Sequence, residues 1–450
     1  MNMNLYRVFA AILFFLPLFP LLPLTASADW LDVDHNPHGL MPSANSVNLG
    51  ILVDYVGYSS FGPALLRGIS MAAQEINAAG GVNGHPLALI VRDSMGIGAL
   101  GAIQARQLVD QGVVAIAGIG FSSVAVAACP VVAASQTPLI GATTTSAAIT
   151  YLDDHDTIYR MVPSDSTLGQ ALSEMIIRDG VKRLGILVRA DAFSQGFAKS
   201  LRTLFPDAEA GRSLVSLVTY PEDKLVGFSA EVSQLLGPGN SNQLDGIAII
   251  GISNELFNVT QDLANHAPTG IKYYTPRTGP ELLTNGVREI LLGMGAVRRA
   301  ENPNTVANLT HFQERYATFY GITLEAAQDS KNPLSAGSSI QTYDSIYLLA
   351  LAMAQAGENS REAILGNLRR ISGGAGSPQD AVTIRDGEYA RALEIIAAGG
   401  VVRYEGAIGP TRFDENGDIS VFGYQEVRIE ADATGKLISV AKEVHVIGEP

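Results

Sequence analysis

The sequence predicts an α/β fold of two similar lobes, each a mostly parallel sheet flanked by helices. Three observations carry that expectation. Short apolar runs at Asn48–Asp54, Leu87–Arg92, Val113–Gly118 and Pro138–Ile140 alternate with stretches of helical apolar spacing, the pattern of parallel strands covered on both faces. A second series follows, with strands at Arg183–Arg189, Ser213–Tyr220, Asp245–Gly251 and Ile271–Thr275 and helices near Gln195–Leu204, Phe228–Leu236 and Glu255–His266. The opening run Leu49–Val53, LGILV, also recurs as Leu184–Val188.

At the amino end, Arg7 precedes an apolar stretch, Val8–Leu24, and Ala26-Ser27-Ala28 matches the small-residue pattern at which a signal peptidase cuts. Residues 1–28 therefore read as a signal peptide, with the mature chain beginning near Asp29. A membrane anchor is the competing reading, since the stretch approaches the ~17 residues that can span a bilayer; its three prolines weigh against it. No cysteine follows the cut, so lipid attachment there is not expected. Residues 29–46 are irregular and read as a leader arm.

In the first helix, Leu66, Ile69, Ala73 and Ile76 form one apolar face, Pro63 suits the first turn and Gly80-Gly81 the stop. Asn83-Gly84 supplies a tight turn into the second strand. Beyond the second series, Asn308–Tyr320, Tyr343–Gly357 and Glu362–Ile371 have helical patterning, and strands follow.

With 450 residues, 47% of them hydrophobic, the chain is long enough for two cored domains, which excludes a disordered class. A net charge of −14 without any block of Lys and Arg excludes a phosphate-tracking surface, so nucleic acid is not an expected partner. The single cysteine, Cys129, rules out an intrachain disulfide and reads as a small core residue.

The run Gly57–Asp93 with the serine turn Gly112–Ser123, the pair Tyr343-Asp344 with the helix after it, and YEGAIGPTRFDENGD at Tyr404–Asp418 together resemble the type I periplasmic solute-binding proteins of ABC importers, the leucine/isoleucine/valine-binding family. The likeness spans roughly 47–435. It implies a three-segment hinge, with 47–162 plus 281–422 in lobe one and 163–280 plus 423–450 in lobe two. It further implies a monomeric periplasmic protein that captures an amino acid or related small carboxylate between its lobes and hands it to ABC permease subunits. A sensing or assembly module of the same fold, signalling to a membrane partner, is the alternative.

In open α/β sheets, ligands lie beyond the carboxyl ends of the strands, where free N–H groups at helix starts receive anions. Gly118–Ser123 (GIGFSS) and Gly141–Thr145 (GATTT) fall at such places. Their hydroxyls can serve a ligand or merely cap helices. The resemblance implies that Ser122, Thr143 and Thr145 hold a carboxylate, with Ser123 and Thr144 beside them and Phe61 in the ligand-facing set. In the opposite lobe Phe193, in DAFSQG at Asp191–Gly196, takes the place of the family's tyrosine, and Ser253 that of its next contact. Arg277 aligns with the acid that commonly receives an ammonium, which turns the expectation toward a second acidic group on the ligand. Asp191 and Glu255 are replacement acceptors, and a solvated Arg277 is the plain alternative.

Other chemistry is not expected. Asp153–Asp156 (DDHD) reads as a solvated turn rather than a metal cluster, and Asp414–Asp418 as an Asn-Gly hairpin, because Gln425 stands where a calcium loop needs glutamate. Ser123 replaces the third glycine of a dinucleotide fingerprint, and neither G-x-S-x-G nor H-E-x-x-H occurs. No cofactor, metal or catalytic residue is expected.

Overall fold

The computed structural model of the chain describes residues 40–55, 61–252, 255–276, 278, 280–300, 306–324 and 334–447. The expected signal peptide, residues 1–28, and residues 29–39 of the expected leader arm lie outside them.

The first series forms β1 (Val47–Val53), α1 (Phe61–Ala78), β2 (Leu87–Asp93), α2 (Gly98–Asp110), β3 (Ala115–Ile119), α3 (Ser122–Ser135), β4 (Leu139–Gly141) and β5 (Ile158–Arg160). Its strands make one parallel sheet in the order β2-β1-β3-β4-β5. Ile51, Leu52, Ile116 and Leu139 are fully buried within it, as strands covered on both faces require. Between α1 and β2, Val82 and His85 exchange backbone hydrogen bonds around Asn83-Gly84, closing the predicted turn.

The second series forms α4 (Asp165–Arg178), β6 (Arg183–Arg189), α5 (Ala192–Leu204), β7 (Ser213–Tyr220), α6 (Ser229–Leu236), β8 (Gly246–Ile250), α7 (Glu255–His266) and β9 (Lys272–Thr275). Short helices α8 (Pro280–Asn285) and α9 (Arg288–Leu291) then lead into β10 (Gly295–Ala300). Late in the chain, β14 (Phe422–Ala431) and β15 (Leu437–Ile447) complete a sheet ordered β15-β14-β10-β9-β8-β6-β7. Strands β6 to β10 run parallel, whereas β14 adds antiparallel to β10 and β15 antiparallel to β14.

That pairing corrects one boundary. The expectation gave 281–422 to lobe one, yet β10 pairs with β9 and β14, and Leu282, Ile290 and Leu291 pack into the core of the second sheet. Residues up to Ala300 thus go with the second sheet, and the return to the first lies after it. The arginines of β10, sequence GAVRRA, mask the strand from an apolar pattern.

Helices α10 (Val306–Tyr320), α11 (Leu334–Ala356), α12 (Arg361–Ile371) and α13 (Tyr389–Ala397) and a small sheet of β11 (Val382–Ile384), β12 (Val402–Gly406) and β13 (Gly409–Pro410) complete the first-sheet side. Helix α11 begins nine residues ahead of the predicted Tyr343 because it crosses α1 at backbone contact. A Cβ on Gly68 would stand 2.0 Å from the Ser339 carbonyl oxygen. Ser339 Oγ donates to Ala64 O at 2.7 Å and Thr342 Oγ1 to Leu65 O at 2.9 Å, so both hydroxyls are paired within this buried crossing.

Candidate functional site

Strand β3 ends in a turn that glycine makes possible. Gly118 has φ +92°, and a Cβ there would press on Ile69 Cδ1 at 3.2 Å. Asp54, fully buried at the end of β1, fastens this turn by accepting from Gly120 N at 2.9 Å and pairing with the Ser94 hydroxyl. Burial pushes the Asp54 carboxyl up to about 6, against the pull of those donors. Ser122 then opens α3, with the half-buried Ser123 on the same helical turn.

The second turn, after β4, is tied to the first. Ser122 Oγ accepts from Ser146 N at 3.1 Å, which leaves the Ser122 proton available to donate. Thr143 Oγ1 donates to Gly120 O at 2.8 Å. Thr144 is fully buried and its Oγ1 has no hydrogen-bond partner among the described residues; it faces Gly141, whose Cβ would lie 2.1 Å away. Thr145 is buried, and its carbonyl accepts from Asp165 N at 2.8 Å. The two turns therefore form one unit, with Thr143 serving the fastening between them and Thr144 directed inward.

A buried arginine anchors that unit. Arg160, on β5 and wholly inaccessible, pairs with Asp418 through Nε at 2.5 Å and Nη2 at 2.6 Å. Its Nη1 donates to Ser146 O at 2.8 Å and Thr144 O at 3.3 Å, and its Nη2 to Thr150 Oγ1 at 2.6 Å. Asp418 closes the Asp414 turn, whose Oδ1 accepts from Asn416 N and Asp418 N at 2.8 and 2.9 Å. The DENGD segment thus serves the second turn through Arg160.

The second sheet reaches the same place from the other side. Ser146 Oγ donates to Ala192 O at 2.6 Å, joining the second turn to the start of α5. Asp191 caps that helix: Oδ1 accepts from Ser194 N at 3.0 Å and Oδ2 from Ser194 Oγ at 2.8 Å. Phe193 is half-buried and tilts against Phe197, with centroids 5.3 Å apart. Arg189 Nη1 lies 3.7 Å from Asp191 Oδ2, and its Nε lies 3.9 Å from Oε1 of the buried Glu255, which also accepts from Ile252 N at 2.9 Å. Burial pushes the neighbouring Tyr220 hydroxyl well above its ordinary range, and Glu255 adds to the shift.

Ser253, Arg277 and the side chain of Phe61 lie outside the described residues. The structure thus brings Ser122, Ser123, Thr143, Thr144 and Thr145 together and sets Phe193 in the helix that meets them. Asp191 and Glu255 are both engaged within their own lobe. Sequence reasoning missed Asp54, Ser146, Arg160 and Arg189. An acid ending an apolar strand was the available signal for Asp54; the partners of the two arginines are remote in sequence. In Asp153–Asp156, Asp154 Oδ2 accepts from Ile158 N at 2.6 Å and Asp156 pairs with Arg369, so both acids serve the turn.

Two α/β sheets whose strand ends meet over a pair of hydroxyl-lined turns define a ligand-binding protein of the two-lobed kind. Residues 46–413 match the periplasmic binding protein family, and the chain belongs to it. A chemotactic signal transduction system substrate-binding protein of Halobacterium salinarum is 24% identical over 373 residues, 81% of this chain and 82% of that protein. A leucine-binding protein from Thermotoga maritima shares the fold, with a TM-score of 0.63 and 21% identity over 89% of this chain and 98% of its own. So does a Rhodopseudomonas palustris ABC-transporter solute-binding protein in complex with 3,4-dihydroxybenzoic acid, with a TM-score of 0.61 and 18% identity over 89% and 97%. These relatives are binding proteins rather than enzymes. Among the described residues no helix is long and apolar enough to cross a membrane.

Proposed function

We propose that the protein works in the periplasm without catalysis, captures a small carboxylated solute between its lobes, and delivers it to an ABC permease. The observation that carries this reading is the paired turn, in which Ser122 and Thr145 are held side by side by Asp54 and Arg160 at the carboxyl ends of β3 and β4. Neutral donors at such a place hold a carboxylate without a pairing cation. Ligand seated there favours closure through contacts added by the α5 side, including Phe193, and the closed state is what the permease selects. Arg277 and Ser253 belong to the opposite wall in this reading, with Arg277 offering a fork to a second acidic group.

A thermal-shift screen of aliphatic amino acids, dicarboxylates and benzoates tests it. A ligand that binds only the folded protein raises its melting temperature, by an amount that grows with concentration over Kd. A melt unmoved by every carboxylate, with an uncharged solute active instead, removes the reading.

The likeness to a chemotactic substrate-binding protein favours a second reading, in which the loaded protein reports to a membrane receptor. Deletion of the gene separates the two. Lost uptake with intact taxis supports transport, and the reverse supports sensing.

A further inference from the structure

The segment that follows the second turn, 146–151, reaches the other lobe and lies along one side of α5. Ala192, Gly196 and Lys199 are spaced by four and then three residues, which puts them on a single face of that helix. Ser146 Oγ donates to Ala192 O at 2.6 Å. A Cβ on Gly196 would stand 3.5 Å from Ala147 N and 3.6 Å from Ser146 Oγ, and Lys199 Nζ lies over the Tyr151 ring, 5.4 Å from its centroid. The small residues bring the two segments into close contact at the inner end, where Ala147 is 8% exposed; Tyr151, at the outer end, is 75% exposed.

We propose that 146–151 and the Ala192–Lys199 face form a latch between the lobes, and that Ser146 is the positioning residue that ties this latch to the carboxylate turn. The proposal rests on the reading that a carboxylate is captured at the paired turn. Ser146 is wholly inaccessible and uses every polar group it has. Its N donates to Ser122 Oγ at 3.1 Å, its O accepts from Arg160 Nη1 at 2.8 Å, and its Oγ, besides donating to Ala192 O, accepts from Ala148 N at 3.2 Å. Arg160 also donates to Thr150 Oγ1 at 2.6 Å, so the lobe-one half of the latch is shaped before it meets α5. One neutral hydrogen bond and one solvent-washed cation–π pair hold the lobes only weakly by themselves. A seated carboxylate adds to them through Ser122. When that hydroxyl donates to an anion, its oxygen becomes a better acceptor for Ser146 N, which steadies the residue that bridges to Ala192.

The test uses a distance across the latch. A Cβ on Gly196 would lie 3.9 Å from that of Ala147, inside the range of about 3.5–4.5 Å that a disulfide spans. The mature chain carrying Ala147→Cys/Gly196→Cys is treated with a mild thiol oxidant, and the loss of two titratable thiols reports the cross-link; Cys129 is buried and does not compete. The probes are leucine, succinate and benzoate. The one that raises the melting temperature most is expected to speed cross-linking at least tenfold over the protein alone, and to leave the cross-linked protein at least tenfold more slowly. Adding Ser146→Ala, which removes the hydroxyl and keeps both backbone bonds, should cut that acceleration at least threefold. Should the double variant not fold, Gly196→Leu wedges the two segments apart and should weaken binding of the same probe at least tenfold with urea unfolding unchanged. Cross-linking at one rate with and without bound probe would make the contact permanent and overturn the proposal, as would no cross-link with probe bound, or full affinity in Gly196→Leu. If none of the three probes binds, the proposed function falls and takes this inference with it, an outcome distinct from a latch that fails while a probe is bound.

Discussion

Replacing Arg160 by Met tests whether the buried ion pair under the second turn holds the site in shape. The side chain is wholly inaccessible and makes five hydrogen bonds: two to Asp418, one to Thr150 and two to the carbonyls of Ser146 and Thr144. Charged hydrogen bonds at about 1.5–3 kcal/mol each would sum far too high, because burying the guanidinium has already offset most of that gain. The relevant quantity is what truncation leaves behind. Asp418 would remain 5% exposed with its counter-charge gone, a situation that costs about 3–5 kcal/mol. Urea unfolding should therefore show a loss of that size for Arg160→Met. The double variant Arg160→Met/Asp418→Leu removes both charges and should return to within about 2 kcal/mol of the wild type. Its ligand affinity should stay at least about tenfold weaker, since the Thr144 and Ser146 carbonyls have lost their anchor. A single-variant loss below about 1 kcal/mol, or full affinity in the double variant, refutes the reasoning.

Replacing Ser122 and Thr145 together by Ala should weaken ligand binding by about 2–4 kcal/mol, two hydrogen bonds to a charged acceptor, while the apo chain stays folded; unchanged affinity in calorimetry would remove this site. Asp54 makes stability depend on pH with a definite sign. Its folded pKa, about 6, lies above the ordinary 3.8, so its contribution is full below the lower value and is lost as pH rises through the upper one. Urea titrations should show a downward step between these values that is absent in Asp54→Asn; a step that persists in the variant assigns it elsewhere. If Arg277 faces the cleft, Arg277→Glu should reverse a preference for dicarboxylates over leucine, isoleucine or valine; equal preferences in both proteins place Arg277 outside the site.

Much of the fold was legible because parallel strands announce themselves. Arg183–Arg189, Ser213–Tyr220 and Glu255–His266 have the same bounds in sequence and structure, since each is an apolar run or a clean amphipathic period between strong breaks. Strands β10, β14 and β15 were harder for a common reason. Strand β14 reads FGYQEVRIEA and is half-buried along most of its length, so charged residues interrupt its pattern and pairing with β10 and β15 decides its state. The long helix α11 conceals its first turns similarly, through Ser339 and Thr342, which hydrogen-bond the backbone of α1 where an apolar stripe would otherwise stand.

The site divides along the same physical line. Its first half is local: a glycine-bearing turn after a buried strand, followed at once by hydroxyls, places Ser122 and Thr145 from chain order alone. What holds that half in register is not local, because Arg160 meets Asp418 across 258 residues. The charge balance of the opposite wall is less local still. Asp191 and Glu255 look from sequence like two free acids able to receive an ammonium, and only folding brings Arg189 between them and ties it to Glu222. The charge balance of such a wall depends on these meetings, so a sequence can disclose a hydroxyl-bearing turn well before it discloses which charges stand opposite it.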